Sequence, residues 1–258
     1  MALTPRSLDP LEAELRQSDH DRWLTTLFAG PRERPLLVAL YTFNQEVAKT
    51  RERVSEPMVG EIRLEWWREA IEGIYAGNTR RHPVVEAVSK AVAERDLPQA
   101  EFREIIDARR GELYDESPKS FADLLAYADA SGGRLSRLAM RLCGGERALL
   151  EAAERIGRAW ALTGLLRALG FQAAMQRTML PAQELEAMGV APETLFAGEF
   201  PEQARPLARR MAKAAREAIA QARKDAGAVP RRALSPLLLA PLSESYLDRL
   251  DRAGGDPF

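Results

Sequence analysis

The stretch ALTGLLRALGFQAAMQRTMLP, residues 161–181, lies in the middle of the longest acid-free segment of the chain. No Asp or Glu occurs from Arg155 to Gln183, although 38 of the 258 residues are acidic. Read as a helix, the segment is apolar over nearly its whole circumference, which predicts a buried helix over residues 155–176. Arg167 lies inside this helix. Because an unpaired buried charge is costly, either carboxylates from other helices meet Arg167 or it faces a hydrated cavity.

The composition and the charge balance exclude several classes of function. The 37 Lys and Arg residues nearly cancel the 38 Asp and Glu residues, so no overall field would attract nucleic acid and we expect no nucleic-acid partner. Cys143 is the single cysteine, which excludes an internal disulfide and a cysteine-based zinc site and fits a reducing compartment. It lies in the apolar run LAMRLCGG, which predicts a buried thiol.

We expect neither a targeting segment nor a membrane span. The first residues lack the apolar core of a secretory signal and are too acidic for a transit peptide. The longest apolar run, LLVALY at residues 36–41, is far shorter than a spanning helix requires. The sequence therefore predicts a soluble, cytoplasmic protein that at most rests on a membrane surface.

Helical periodicity runs through almost the whole chain. Leu36, Leu40, Phe43 and Val47 repeat at four, three and four residues, and no run of alternating β-branched residues competes with this pattern. Proline and glycine clusters divide the chain into about eight to ten predicted helices. Since no linker is long enough to separate domains, we predict a single all-α domain over residues 1–258.

Two stretches carry a resemblance to a known family. LTGLLRALGFQAAMQRTMLP, residues 162–181, resembles the second conserved region of the squalene and phytoene synthases, whose usual form is close to LTNILRDxxEDxxxGRxYLP. VSEPMVGEIRLEWWREAIEGIY, residues 54–75, resembles the P-x-x-G-x-IRL-x-WWR element of the same family. With the neighbouring helices, the resemblance covers most of the chain. It implies an isoprenoid synthase-like helical bundle around a central cavity.

The same resemblance implies that the metal site of the family is degenerate in this chain. The family holds Mg²⁺ between two helices, on Asp residues spaced four apart, and the ions neutralise the leaving diphosphate of an allylic substrate. The first of these motifs reads TFNQEVAKTRE here, and the second has lost both acids. The degenerate metal-motif positions are Ala48, Lys49, Glu52, Ala168 and Gln172. We expect no bound metal, no catalytic residue, and a positive charge from Lys49 where Mg²⁺ would lie.

FNQEV at residues 43–47 and VSEPMVG at residues 54–60 resemble one branch of the family, which acts in the assembly of respiratory complex I. The implied function is non-catalytic assistance to the assembly of NADH:ubiquinone oxidoreductase. The implied partners are complex I subunits or assembly intermediates, with an isoprenoid or other lipid as a candidate cavity ligand. Two alternatives stay open: an active Mg²⁺-dependent prenyltransferase acting on allylic diphosphates, with Mg²⁺ as its cofactor, and an isoprenoid- or quinone-binding protein.

Four arginines are candidates for binding an anion or another ligand. The resemblance places two of them in the second conserved region and two in the IRLEWWR element: Arg167, Arg177, Arg63 and Arg68. Glutamates at helical spacings offer the latter two surface partners, which favours ion pairing over ligand binding. The adjacent residues Trp66 and Trp67 point about 100° apart on a helix, so we expect at least one of them in the core.

Further polar residues have both a structural and a functional interpretation. A carboxylate of Asp107, Glu112 or Asp115 could face the cavity, although the neighbouring arginines favour local ion pairs. His20 and His82 lack the partners that a triad or a metal site needs, so we expect structural roles.

The segment 205–227 reads as a basic amphipathic helix with seven Lys or Arg residues and two acids. It could contact anionic lipid or an acidic partner. Its apolar face is mostly alanine, which favours a solvated outer helix.

Overall fold

The computed structural model describes residues 9–258, and this part of the chain forms helices and turns without a β-strand. The predicted all-α class is confirmed. In chain order the α-helices are α1 (Pro10–Ser18), α2 (His20–Thr26), α3 (Glu33–Ala48), α4 (Pro57–Tyr75), α5 (Pro83–Glu94), α6 (Gln99–Asp107), α7 (Arg110–Leu113), α8 (Phe121–Ala128), α9 (Arg134–Leu142), α10 (Arg147–Ala174), α11 (Ala182–Ala187), α12 (Pro192–Phe196), α13 (Arg205–Asp225), α14 (Leu234–Leu237) and α15 (Leu239–Arg252). A π-helical turn, Asp129–Gly133, joins α8 to α9, and single 3-10 turns lie at Arg51–Arg53, Glu202–Ala204 and Arg231–Ala233.

The described residues form more helices than the sequence predicts. The additional ones are short: α7, α11, α12 and α14 contain four to six residues each. A segment of one turn and a half cannot display a 3.6-residue period, so periodicity misses it.

Helix α10 is the central element of the fold. It has 28 residues and packs against α9, α13 and α15. The helix begins at Arg147, about two turns before the predicted start at residue 155. It ends at Ala174, two residues before the predicted end at residue 176. Gly157 faces the π-helical turn, and a Cβ at this position would collide with the carbonyl oxygen of Gly132. The absence of a side chain at Gly157 therefore allows the turn to lie directly against α10.

Two buried clusters form most of the interior. One joins α10 to α13 and α15, and the other joins α3, α4, α5, α6 and α9. In the second cluster the ring centroid of Phe43 lies 5.6 Å from that of Trp67 and 5.4 Å from that of Phe102, both edge-on. Trp67 is buried and Trp66 is partly exposed, so one of the adjacent tryptophans does lie in the core. Cys143 is fully buried as predicted, and burial raises the pKa of its thiol to about 12.

Helix α13 coincides with the predicted basic amphipathic helix. Its apolar stripe is buried, and its cations are largely paired with carboxylates of the same chain. Arg216 Nη2 lies 2.9 Å from Asp248 Oδ1, and Arg223 Nη1 lies 2.6 Å from Glu244 Oε1, both on α15. Because these charges are already paired, the helix has little free positive charge to offer an anionic surface.

None of the helices in residues 9–258 combines the length and the apolar character that crossing a bilayer requires.

Candidate functional site

A cavity of about 110 Å³ lies where the ends of α3 and α10 approach the segment from α7 to α8. Four of the five degenerate metal-motif positions line it: Ala48, Glu52, Ala168 and Gln172. Lys49 does not line it, so the expected positive charge from this residue is absent from the cavity wall. The two motifs, more than a hundred residues apart in sequence, therefore converge on one cavity as the resemblance implies.

The helical period explains which α10 residues reach the cavity. Ala168 and Gln172 are four residues apart and share one face of the helix. The side-chain oxygen Oε1 of Gln172 is buried and has no hydrogen-bond partner among the described residues. It is an acceptor left free to meet a donor inside the cavity.

The guanidinium groups of Arg51 and Arg177 and the carboxylate of Asp115 form a charged part of the cavity wall. Arg51 donates two parallel hydrogen bonds to Asp115, from Nε to Oδ1 at 2.9 Å and from Nη2 to Oδ2 at 2.7 Å. Arg177 Nε lies 3.7 Å from the same Oδ1. The hydrogen bond to Asp115 raises the pKa of Arg51 above its usual value. We call this arrangement the Arg51–Asp115–Arg177 bridge.

The backbone of Asp115 is in the left-handed region, with φ of +56°. Among residues other than glycine, Asp and Asn tolerate this conformation best because their short side chains form local hydrogen bonds. The turn directs the carboxylate back toward Arg51, 64 residues earlier in the chain.

A second buried network supports the wall formed by α7 and α8. Glu112 Oε1 accepts hydrogen bonds from Arg109 Nη1 at 2.9 Å and from the Tyr127 hydroxyl at 2.6 Å. Burial raises the pKa of Tyr127, so the phenol stays protonated and remains a donor. Two of the cavity carboxylates, Glu112 and Asp115, are therefore each bound to an arginine of this chain.

The side chains that line the cavity do not fit Mg²⁺ as the family would hold it. The motif positions on the two helices offer two alanines, one amide and Glu52 in place of paired carboxylates. Within residues 9–258, no three His, Cys, Asp or Glu side chains are grouped closely enough to hold a metal ion. Mg²⁺ requires several hard oxygen ligands in near-octahedral geometry, and this donor set does not supply them.

Glu46, the last residue of the FNQE sequence, is buried and binds two arginines. Its Oε2 accepts hydrogen bonds from Arg53 Nη1 and from Arg63 Nη2, both at 2.7 Å. One carboxylate at the end of α3 therefore holds the following 3-10 turn and α4 together. Arg63 is thus an ion-pair partner of Glu46 and does not line the cavity.

The other candidate arginines divide between the cavity and the surface. Arg177 lines the cavity, whereas Arg68 is paired with Glu65 and Asp107. Arg167 is exposed, with 41% of its side chain accessible, which corrects the expectation that it is buried. It neighbours Ala168 in sequence, and successive side chains on a helix diverge by about 100°.

Arg167 joins three helices on the far side of α10. Its Nη1 lies 3.0 Å from Asp21 Oδ2, and its guanidinium lies 3.7 Å from the ring centroid of Tyr246. The Tyr246 hydroxyl donates to the same carboxylate at 3.1 Å. A second pocket, of about 330 Å³, opens beside this contact and is lined mainly by apolar side chains of α10 and α15.

Sequence reasoning missed Arg51 and Tyr127 and preferred local ion pairs for the carboxylates of α7. Glu112 does pair locally, with Arg109 three residues before it, but Asp115 pairs across 64 residues. The one available signal was the position of Arg51 inside TFNQEVAKTRE, three residues after Ala48 and therefore on nearly the same helical face.

This chain is similar to named proteins of two kinds. Complex I assembly factor 6 from Mus musculus is 28% identical over 245 residues, covering 95% of this chain and 74% of the relative. A chloroplastic phytoene synthase from Arabidopsis thaliana is 27% identical over 213 residues, covering 78% of this chain and 49% of the relative.

Among solved structures, squalene synthase HpnC from Alicyclobacillus acidocaldarius superposes with a TM-score of 0.84 at 20% identity, covering 96% of this chain and 94% of the other, which shows a shared fold. Residues 15–258 match the family described as squalene/phytoene synthase. This chain therefore belongs to the squalene/phytoene synthase family.

Proposed function

We propose that this protein is a non-catalytic member of its family that assists the assembly of respiratory complex I. The observation that carries the non-catalytic part is the Arg51–Asp115–Arg177 bridge, which lies on the cavity lined by the degenerate metal motifs. The proposal is supported by the relatives named complex I assembly factor 6. The proposed partners are complex I subunits or assembly intermediates.

The chemistry of allylic diphosphates supports the non-catalytic part. Ionisation of such a substrate builds negative charge on the departing diphosphate, and divalent cations are the family's means of neutralising it. Guanidinium groups can also bind phosphate, but Arg51 and Arg177 already share the carboxylate of Asp115. A diphosphate would have to displace an internal anion that is held by two hydrogen bonds from Arg51 alone.

The size of the cavity at the degenerate motifs does not support a lipid carrier that uses this site. Ligand pockets usually have volumes of roughly 300–1,000 Å³. The cavity at the degenerate motifs has about 110 Å³, which suits a few water molecules better than an isoprenoid chain.

For the location, we propose the cytoplasm with peripheral contact at the inner membrane. The single reduced and buried Cys143 is consistent with a reducing compartment.

A diphosphate-release assay tests the non-catalytic part. The protein is incubated with Mg²⁺ and either farnesyl or geranylgeranyl diphosphate, beside an authentic phytoene synthase at the same concentration. We expect no release above the background without enzyme. A parallel variant restores acids at the four motif positions (Ala48→Asp, Lys49→Asp, Ala168→Asp, Gln172→Asp). Turnover by the unmodified protein comparable to that of the synthase would refute this part of the proposal.

A genetic rescue experiment tests the assembly part. Deletion of the gene should lower the amount of assembled complex I on native gels and the NADH:ubiquinone oxidoreductase activity of membranes, and the unmodified chain should restore both. The matched variant is Glu52→Ala, which removes the last motif carboxylate from an exposed residue without an ion pair among the described residues. A non-catalytic protein keeps full rescue with Glu52→Ala. Normal complex I in the deletion strain would contradict the assembly role.

A further inference from the structure

Three large apolar side chains are exposed where α14 packs against α2. Leu27 and Phe28 follow α2, and Leu234 begins α14, with exposed fractions of 42%, 64% and 38%. The Ser235 hydroxyl donates to the carbonyl oxygen of Thr25 at 2.8 Å, which holds the start of α14 beside the end of α2. The segments that carry these apolar side chains are therefore neighbours in the fold although about 200 residues separate them in sequence.

Unpaired arginines flank the same side chains. Arg32 lies four residues after Phe28, and Arg231 and Arg232 precede Leu234. All three arginines are exposed, and none forms an ion pair with another described residue. Most other arginines of this protein do have carboxylate partners, as on α13. Three unpaired cations therefore lie within four residues of these exposed apolar side chains in sequence.

We infer that the α2–α14 surface, defined as Leu27, Phe28, Arg32, Arg231, Arg232 and Leu234, rests on a bilayer that contains anionic lipid. The apolar tips enter the boundary between headgroups and acyl chains, and the arginines contact lipid phosphates. The inference rests on the membrane contact in the proposed function and deepens it by assigning that contact to one surface and one lipid class.

The other candidate surfaces fit an anionic bilayer less well. Helix α13 is the predicted basic amphipathic helix, but its cations are largely paired with carboxylates. Helix α4 exposes Met58, Val59 and Ile62, but Glu56 precedes them and is exposed and unpaired among the described residues. A carboxylate at that position would be repelled by anionic headgroups. A protein partner would need pockets that match the projecting side chains, whereas a fluid bilayer accepts them without a preformed shape.

Sedimentation with vesicles tests the assignment. The full chain is mixed with vesicles of phosphatidylcholine alone, or of phosphatidylcholine and phosphatidylglycerol in equal parts, at low and at high salt. We expect binding to the mixed vesicles, weakened by salt, and little binding to phosphatidylcholine alone. Phe28→Ser should lower the partition coefficient by about tenfold. The double variant Arg231→Gln, Arg232→Gln should lower it by roughly thirtyfold at low salt.

Two matched variants control for general effects of the substitutions. Ile62→Ser removes an apolar side chain of nearly equal exposure, 65% against 64% for Phe28, from α4. Lys213→Gln removes a cation of α13 that is 77% exposed. Both should bind vesicles like the unmodified chain, and thermal unfolding checks that every variant is folded.

The outcomes separate this inference from the proposed function. Loss of binding in Ile62→Ser or Lys213→Gln, but not in Phe28→Ser, overturns the assignment. Absence of binding to mixed vesicles also overturns the assignment. If the variants of the α2–α14 surface then fail to restore complex I in the deletion strain, the surface binds an acidic protein instead of a bilayer. If cell fractionation finds the unmodified protein and Phe28→Ser equally on membranes, the membrane location stands while the assigned surface is wrong.

Discussion

Replacing Asp115 by asparagine removes the central charge of the Arg51–Asp115–Arg177 bridge and leaves the local backbone intact. Asparagine has nearly the same size and tolerates the left-handed conformation at φ of +56°. The change abolishes the charge-assisted pair with Arg51 and removes the carboxylate that Arg51 and Arg177 share. We expect the folded state to lose stability for both reasons.

The magnitude follows from the geometry and the exposure of the bridge. Two hydrogen bonds to a charged group would contribute several kcal/mol if buried, but the Asp115 side chain is 37% exposed, so water screens them. We expect a loss of about 1–2 kcal/mol. For a chain of this length, the loss lowers Tm by about 3–6 °C.

Thermal unfolding and pyrophosphate titration measure the two consequences of Asp115→Asn. Without metal, inorganic pyrophosphate should raise the Tm of the variant, because two guanidiniums have become available, and should not affect the unmodified chain. Glu202→Gln is the control, since this carboxylate is 84% exposed and its loss should change stability by less than about 0.5 kcal/mol. An unchanged Tm in Asp115→Asn, or equal stabilisation of both proteins by pyrophosphate, would refute the reasoning.

Substitutions at four further positions test the packing described above. Gly157→Ala would stabilise an open helix by about 1 kcal/mol, but the collision with the Gly132 carbonyl oxygen should instead lower the Tm, as thermal unfolding can show. Cys143 should resist a thiol reagent at neutral pH until the protein unfolds, because burial holds its pKa at about 12. From about pH 9 to 12 only the unfolded thiol ionises, so the unmodified chain should lose stability with rising pH more steeply than Cys143→Ala, measured by urea unfolding. Trp67→Ala should cost about 3–5 kcal/mol in urea unfolding and Trp66→Ala clearly less, and equal costs would contradict the assignment of Trp67 to the core.

The fold was predictable from the sequence because most of its helices are long enough to show their period. Residues of α3 and α10 repeat at three and four positions, and the motif resemblance places both helices at one cavity. The π-helical turn against α10 was not predictable, since it depends on the contact between Gly132 and Gly157, two glycines from different segments.

The charges of the site could be predicted only in part. Ala48, Ala168 and Gln172 were identified because a motif fixes their positions in sequence. The ion pair between Arg51 and Asp115 depends on a left-handed backbone and on tertiary packing across 64 residues, and neither leaves a periodic signal. Even within one helix, the sequence did not show which side chains face the cavity. Ala168 faces it, whereas its neighbour Arg167 faces Asp21.

The bridge also determines what a new carboxylate at the motif positions would meet. Because Arg51 lines the cavity together with Ala48, the substitution Ala48→Asp would introduce a carboxylate next to an existing cation. The new acid would compete with Asp115 for that guanidinium before it could meet a metal ion. Because this internal counterion holds Arg51 and lies near Arg177, a carboxylate added to the cavity wall would first rearrange a salt bridge before it could serve a metal ion.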